Sequence, residues 1–563
     1  MSQFTNAMDT YTSENSSTQL GTNNHSEYKW SGNTTEQIVQ LFYQINRCND
    51  TSAKALSDKF YTIASDMRND EYFTDILARL IMYTRDIIDG KGERQISFDF
   101  VYQFARIHPE KAKQIIEYFV RANPNNSNEK QHPYGSWRDL KLLWSYYDWK
   151  SIEFDSDFMV KLINDQLRQD VSSSTPSLVA KWIPREKSKY AVMFMKLAED
   201  YFGHYLSSVT TLEQKRLACS KAYTHYRKII SLLNKQLDTV QIKQCARTYA
   251  DINYKNVTSI TMAKQKNAFL NILPTGKQRS IAEDRIEGAN NLKAFVSHQT
   301  SIGKTIQGAR VSVYDFIKDA TKYIHNDSEE LSVQKQILNS QWEDAGKCLH
   351  ALDNYIAMVD TSGSMTIDNN TPLFNSIGLG CRIAEKSKLG RRVLTFSTTP
   401  SWINLEDDVT LTDMVKKMTD DKSSCMGTNF MAALQLILKG IESAKLTNTV
   451  VSEMALVILS DMQIDSPYNK PMTSSMWDLI KTEYAEAGIR VHGIPYDVPN
   501  IVFWNLSTTT GFPTLVNNPG SIMMSGSNIA MINSFCSSGL SELRKMSPFD
   551  YVIRLLSADR YKM

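Results

Sequence analysis

The chain has no two cysteines in CxxC spacing. Its seven cysteines, at 48, 219, 245, 348, 381, 425 and 536, are scattered, and none clusters with histidine at zinc-binding intervals. A zinc ribbon and a redox dithiol are therefore excluded. An odd cysteine count with no signal peptide points to a reduced, intracellular, cytoplasmic setting. No apolar run reaches the ~18 residues of a membrane span. Net charge is also missing, since 63 Lys+Arg against 61 Asp+Glu leave +2. No nucleophile-elbow, kinase or zinc-hydrolase motif stands out. Two glycine-lysine pairs imitate a phosphate-binding loop and fail. Gly303-Lys304-Thr305 has His298 where the first glycine belongs, and Thr275-Gly276-Lys277 has Asn271 there. No enzyme is expected.

What is present is size and uneven charge. The 563 residues suffice for two or three domains, and 42% hydrophobic with 22% charged residues is a globular composition. Leu178 to His325 carries 24 Lys+Arg against 11 Asp+Glu, a surplus of +13, whereas both flanks are mildly acidic. Residues 1–34 are rich in Ser, Thr, Asn and Gln and are expected to be a disordered tail. From Thr34 the apolar residues recur at helical steps, as in Phe73, Ile76, Leu77, Leu80 and Ile81. Successive amphipathic helices to about residue 350 suggest an irregular HEAT-like α-helical array over 35–350. From 351 the pattern alternates between strand and helix, which predicts an α/β, Rossmann-like domain with a mostly parallel sheet over 351–540. Tyr355–Val359, Arg391–Phe396, the run from Met454 ending at Asp461, Ile489–Ile494 and Ile501–Leu506 read as strands, with Trp402–Leu405 at an edge. A helical extension, 541–563, closes the chain.

The stretch Tyr355-Ile-Ala-Met-Val-Asp-Thr-Ser-Gly-Ser-Met365 organises the second half. A buried strand ends in Asp360, Ser362 and Ser364 at alternate positions. One carboxylate and two hydroxyls are hard oxygen ligands of the kind Mg²⁺, Mn²⁺ or Ca²⁺ accepts. Thr428, in Ser424-Cys425-Met426-Gly427-Thr428-Asn429, arrives from a second loop. Asp461 follows the apolar run Met454-Ala-Leu-Val-Ile-Leu-Ser. This set resembles the DxSxS, Thr and Asp elements of the von Willebrand factor A (vWA) domain and its metal-ion-dependent adhesion site (MIDAS). The resemblance implies one coordination position left open for the Asp or Glu of a protein partner.

A helical array followed by a vWA domain resembles the Ro (TROVE-domain) RNA-binding proteins. A closer likeness is to the uncharacterised DUF2828 family of plants, fungi and large DNA viruses. It is carried by Arg85-Asp86-Ile87 with Gly90-Lys91-Gly92-Glu93-Arg94, by Tyr134-Gly135-Ser136-Trp137-Arg138-Asp139, by Ala180-Lys181-Trp182-Ile183-Pro184-Arg185, by the DTSGSM loop and by Arg560-Tyr561. The expected function is a scaffold that binds a divalent cation and an acidic protein ligand. Lys181, Trp182, Arg185, Lys187, Lys189, Lys264 and Lys266 are the candidate contacts to single-stranded or structured RNA. The alternatives are a Ro-like ribonucleoprotein component and a structural component of a virion. No membrane partner is expected.

Overall fold

The structure, a computed structural model, describes residues 18–47, 50–126, 132–324, 331–420, 427–464, 475–536 and 539–563. Most of the chain from Thr34 to Gly346 is helical, and a mixed sheet follows. Six strands make that sheet: β3 (Asn354–Asp360), β4 (Arg392–Phe396), β5 (Ser401–Asn404), β6 (Met454–Ser460), β7 (Asn500–Asn505) and β8 (Ser521–Ser525). They are preceded by a short amino-terminal pair, β1 (Thr18–Leu20) and β2 (Ser26–Tyr28). The order across the sheet is β5-β4-β3-β6-β7-β8, and every pairing is parallel except the antiparallel edge β4–β5.

The strand chemistry explains that order. β6, Met-Ala-Leu-Val-Ile-Leu-Ser, is buried along its whole length, as a central strand covered on both faces must be. At the edge, β5 alternates exposed Trp402 with buried Ile403. The helix Ile367–Lys386 lies directly on β3 because Gly380 carries no side chain. A Cβ there would stand 2.3 Å from Cγ2 of Val359. On its other side Gly378 admits the helix Val313–Ile324, since a Cβ would meet Val313 Cγ1 at 2.4 Å. Three layers are thus packed through two glycines of one helix.

The helical part has two apolar cores. The larger is continuous with the sheet, and a smaller one gathers Tyr254, Met262, Phe269, Leu292, Val296 and Ile337. The 26-residue helix Leu212–Leu237 buries only Ala222, Tyr226 and Leu233, so much of the basic surplus is a solvated face.

Two expectations need correction. Residues 18–34 are not a free tail: β1 and β2 form a hairpin, and Tyr28 exchanges backbone hydrogen bonds with Phe512 at 2.9 and 3.0 Å. Residues 1–17 lie outside the described residues. Ile489–Ile494 is not a strand, because Ile489 to His492 complete the helix Met476–His492, which stops at Gly493 in the left-handed conformation. A strand the sequence did not show, β8, follows β7: its apolar run is only Ile522 to Met524, between two serines.

The boundary near residue 350 does not divide the molecule in space. The helix Thr34–Gln44 packs on β8, and the helix Pro548–Leu556 sits against both and against the helix Glu71–Arg85. Asn505 Nδ2 donates to the carbonyl of Tyr43 at 3.2 Å, and Asn46 Nδ2 to that of Ser507 at 3.0 Å. The motif residues close the junction. The Lys91 ammonium, 2% exposed, donates to the carbonyls of Phe42 (2.7 Å), Ile45 (3.2 Å) and Ser525 (3.1 Å) and to the Ser525 hydroxyl. Arg560 forks onto buried Asp86 at 2.6 and 2.8 Å, and Tyr561 donates to the same carboxylate at 2.8 Å. Arg85 pairs with Asp139 at 2.5 Å, and Asp139 also accepts from the Ser136 amide at the start of the helix Trp137–Tyr146.

Candidate cation site

β3 and β6 run parallel and in register, Val359 beside Leu459, so Asp360 and Asp461 leave the sheet from neighbouring strands at their carboxyl ends. Sheets of this kind place ligands there. Both aspartates are fully buried. Asp360 Oδ1 accepts the Ser362 amide at 2.9 Å, and Oδ2 accepts the Ser460 hydroxyl at 2.5 Å. Burial, and then the charge of Asp461, push the Asp360 carboxyl up to about 7, although hydrogen bonds from Ser362 and Ser460 pull it the other way. Burial also raises Asp461. Its Oδ1 accepts the Gln463 amide at 3.1 Å, the nearby Ser364 hydroxyl pulls the carboxyl down, and its Oδ2 is buried with no donor in full hydrogen-bonding geometry.

The hydroxyls come from the loop after β3 and from the segment after the helix Leu411–Asp420. Ser362 and Ser364 bring their Oγ atoms to 3.1 Å of each other. Ser362 is buried and Ser364 half-buried, so the site opens on the Ser364 side. Thr428 is 2% exposed. It is fixed by its neighbours: the Asn429 amide donates to the Ser397 carbonyl at 2.9 Å and the Gly427 amide to Thr398 Oγ1 at 3.1 Å, both just past β4. Asn429 then caps the helix Phe430–Ser443. Ser424, Cys425 and Met426 lie outside the described residues. The fold therefore brings the loops bearing Asp360, Ser362, Ser364, Thr428 and Asp461 to one end of the sheet. Two buried like charges and an orphaned carboxylate oxygen fit a small hard cation.

The basic candidates separate. Lys181, Trp182 and Lys189 converge with Tyr190, which with Trp182 lies among the basic residues and could stack on bases, and with three residues the sequence did not single out as contacts: Arg138, Lys141 and Tyr146. Arg138, Lys141 and Lys181 lie 5.5, 5.5 and 5.6 Å from the Trp182 ring centre, and Lys141 and Lys189 lie 5.1 and 5.0 Å from that of Tyr190. The Tyr146 and Tyr190 hydroxyls are 2.6 Å apart. Among the described residues none of these four cations has a carboxylate within ion-pair distance. Partial burial, with repulsion from Arg138 and Lys189, holds Lys141 below the usual lysine range. Arg185 and Lys187 are exposed on the adjoining turn. Lys266 is elsewhere and committed, since it is buried and donates to Asp319 at 2.5 Å. Exposed Lys264 borders a cavity of about 630 Å³ beside it. Tyr226 and Tyr254 are core residues. The spacing Arg138 to Lys141, one helical turn, was the available signal for the missed half of the cluster.

Two family models match successive parts of the chain, and neither names an activity. Residues 150–349 match DUF2828, a domain of unknown function, and residues 354–550 match DUF7788, also a domain of unknown function. An uncharacterised protein of Acanthamoeba polyphaga mimivirus is 25% identical over 564 residues, covering 94% of this chain and 86% of that protein. The solved Ro (RSR) protein of Deinococcus radiodurans aligns over 89% of this chain and 99% of its own, with 11% identity and a TM-score of 0.31. Among the described residues no helix is long and apolar enough to cross a membrane.

Proposed function

We propose that the protein is a non-enzymatic interaction scaffold whose carboxyl-terminal region acts as a vWA-type module. Asp360, Ser362, Ser364, Thr428 and Asp461 hold one divalent cation, Mg²⁺ in the first place with Mn²⁺ or Ca²⁺ as substitutes. The cation offers an open position to a carboxylate of a protein partner. The observation that carries this reading is the buried, donorless Oδ2 of Asp461 next to the buried Asp360 carboxyl. Two anions this close and this dry are costly without a counter-charge. Two carboxylates only just balance a dication, so an incoming Asp or Glu remains attractive. In the full chain, Mn²⁺ is expected to raise the melting temperature over EDTA, and Asp360→Ala to abolish the rise. Acidic peptides immobilised on resin should retain the wild type in Mg²⁺ and release it in EDTA. An equal Mn²⁺ response in Asp360→Ala sinks the assignment.

The unpaired cations around Trp182 and Tyr190 support a second, compatible role in binding single-stranded RNA. Lysines and arginines neutralise phosphates there, and the rings offer faces for bases. Trp182→Ala and Lys141→Glu should each weaken binding of a fluorescent oligouridylate, and Lys141→Glu should lower the salt slope by about one. Unchanged affinity in both variants excludes this surface. Similarity to a mimivirus protein supports a place in a viral particle as a narrower form of the scaffold reading. Mass spectrometry of purified particles decides it.

A further inference from the structure

The amino-terminal hairpin reaches the cation site. Its turn is tight: the Gly21 amide donates to the His25 carbonyl at 2.8 Å, and Asn24 takes φ of 59°. From that turn Asn23 Nδ2 donates to the Gln463 carbonyl at 3.1 Å. Gln463 is the residue whose amide donates to Asp461 Oδ1. Between them Met462 sits at φ of 61°, a left-handed conformation that a side-chain-bearing residue adopts at a cost. The turn that presents Asp461 therefore carries backbone strain, held locally by the Met462 amide donating to Ser460 Oγ at 2.9 Å and the Gln463 amide donating to Asp461 Oδ1.

The hairpin is anchored for the task. Tyr28 is laddered to Phe512, Ser26 bridges Ser475, and the rings of Trp30 and Phe512 meet edge to face at 5.2 Å. Glu27, buried, accepts from Gln19 at 2.8 Å and Thr510 at 2.7 Å, with His25 Nε2 at 3.4 Å. His25 is 5% exposed and its Nδ1 has no hydrogen-bond partner. The hairpin thus holds the chain at Gln463 and again at Ser475.

We propose that residues 18–28 are a strap belonging to the cation site and that Asn23 is a positioning residue for Asp461. This rests on the cation reading above. The strap acts through Gln463: Asn23 fixes its carbonyl, its amide on the preceding peptide fixes Oδ1, and Oδ2 is left aimed by that constraint. Cation binding and strap order are coupled, so each strengthens the other by the same factor.

Mn²⁺ titration of the full-length protein, read by electron paramagnetic resonance, tests the strap. Asn23→Ala is expected to raise the Mn²⁺ Kd about three- to tenfold, near the lower limit for groups that orient a metal ligand. Asn23→Gln, which keeps an amide donor, should recover part of the loss. Each variant's Mn²⁺-induced melting shift is measured against its own EDTA value, so a purely structural defect registers in EDTA and not in the shift. Hydrogen exchange of residues 20–28 should slow when Mn²⁺ is added to the wild type. Wild-type affinity in Asn23→Ala, or unchanged exchange in the hairpin, overturns the strap and leaves the cation site standing. Absence of saturable Mn²⁺ binding in the wild type overturns both.

Discussion

Glu27 is a carboxylate kept from water by a hairpin of two three-residue strands. Burial alone would raise its pKa. Hydrogen bonds from His25, Gln19 and Thr510 outweigh burial and leave it below the ordinary value of 4.5. A carboxylate with a depressed folded pKa adds stability above its unfolded value and loses it as pH falls through the folded one. Glu27→Gln should therefore be less stable than the wild type at pH 7 by about 1–2 kcal/mol. In urea titrations across pH the gap should narrow below about pH 4.5. Lys91 is the opposite case, a cation that burial pushes well below its usual range and that carbonyl oxygens hold in place. Lys91→Met would take the ammonium donor from the carbonyls of Phe42, Ile45 and Ser525 and leave the first two to share the Ser525 hydroxyl, a loss of about 3 kcal/mol in urea unfolding. Its sequence context, Gly90-Lys91-Gly92, reads as a solvated loop. Nothing local reveals that the helix Thr34–Gln44 ends with free carbonyls nearby, or that Ser525 stands 434 residues away.

Elements whose signal is local were legible. β3, β4, β6 and β7, the edge strand β5 and most helices follow from apolar periodicity, and the residues at the ends of β3 and β6 follow from the strands. The failures are elements decided by remote partners. β8 has only three apolar residues, Ile522 to Met524, between its serines, and it is a strand because β7 pairs with it and the helix Thr34–Gln44 packs on it. The hairpin buries little apolar surface and is held by pairing to Phe512. Ile489 and Val491 look like strand residues, yet they finish a helix begun at Met476. The close seat of the helix Ile367–Lys386 was not legible either, because two glycines in a helix usually mean weakness. Here Gly380→Ala should press the helix away from Val359, one residue before Asp360. It should cost about 1–3 kcal/mol in urea unfolding. It should also reduce the Mn²⁺-induced melting shift, whereas an equal substitution at solvent-facing Gly440, which has open space, should leave that shift alone.

At the scale of the molecule, the helical region and the sheet share one apolar core and several buried polar bonds. Arg560→Ala would leave the Asp86 carboxylate, which is 0% exposed, without its counter-charge although Tyr561 still donates to it, and should cost about 3–5 kcal/mol. Heat unfolding followed at Trp182 and at Trp504 should give one coincident transition in the wild type. The fragment 351–563 should expose β8 and bind a hydrophobic dye, and adding residues 34–46 should suppress that signal. The charge surplus read from the sequence located the nucleic-acid candidate only coarsely, because it could not tell the committed Lys266 from the open cluster at Trp182. The bond from Ser525 Oγ to the carbonyl of Phe42 spans 483 residues. At about 5–20 residues per second of synthesis, the first helix waits roughly 25–100 s for the strand that covers it. During that interval the nascent chain carries an unfinished apolar face, and its growth in the cell depends on what shields that face until the last strand emerges.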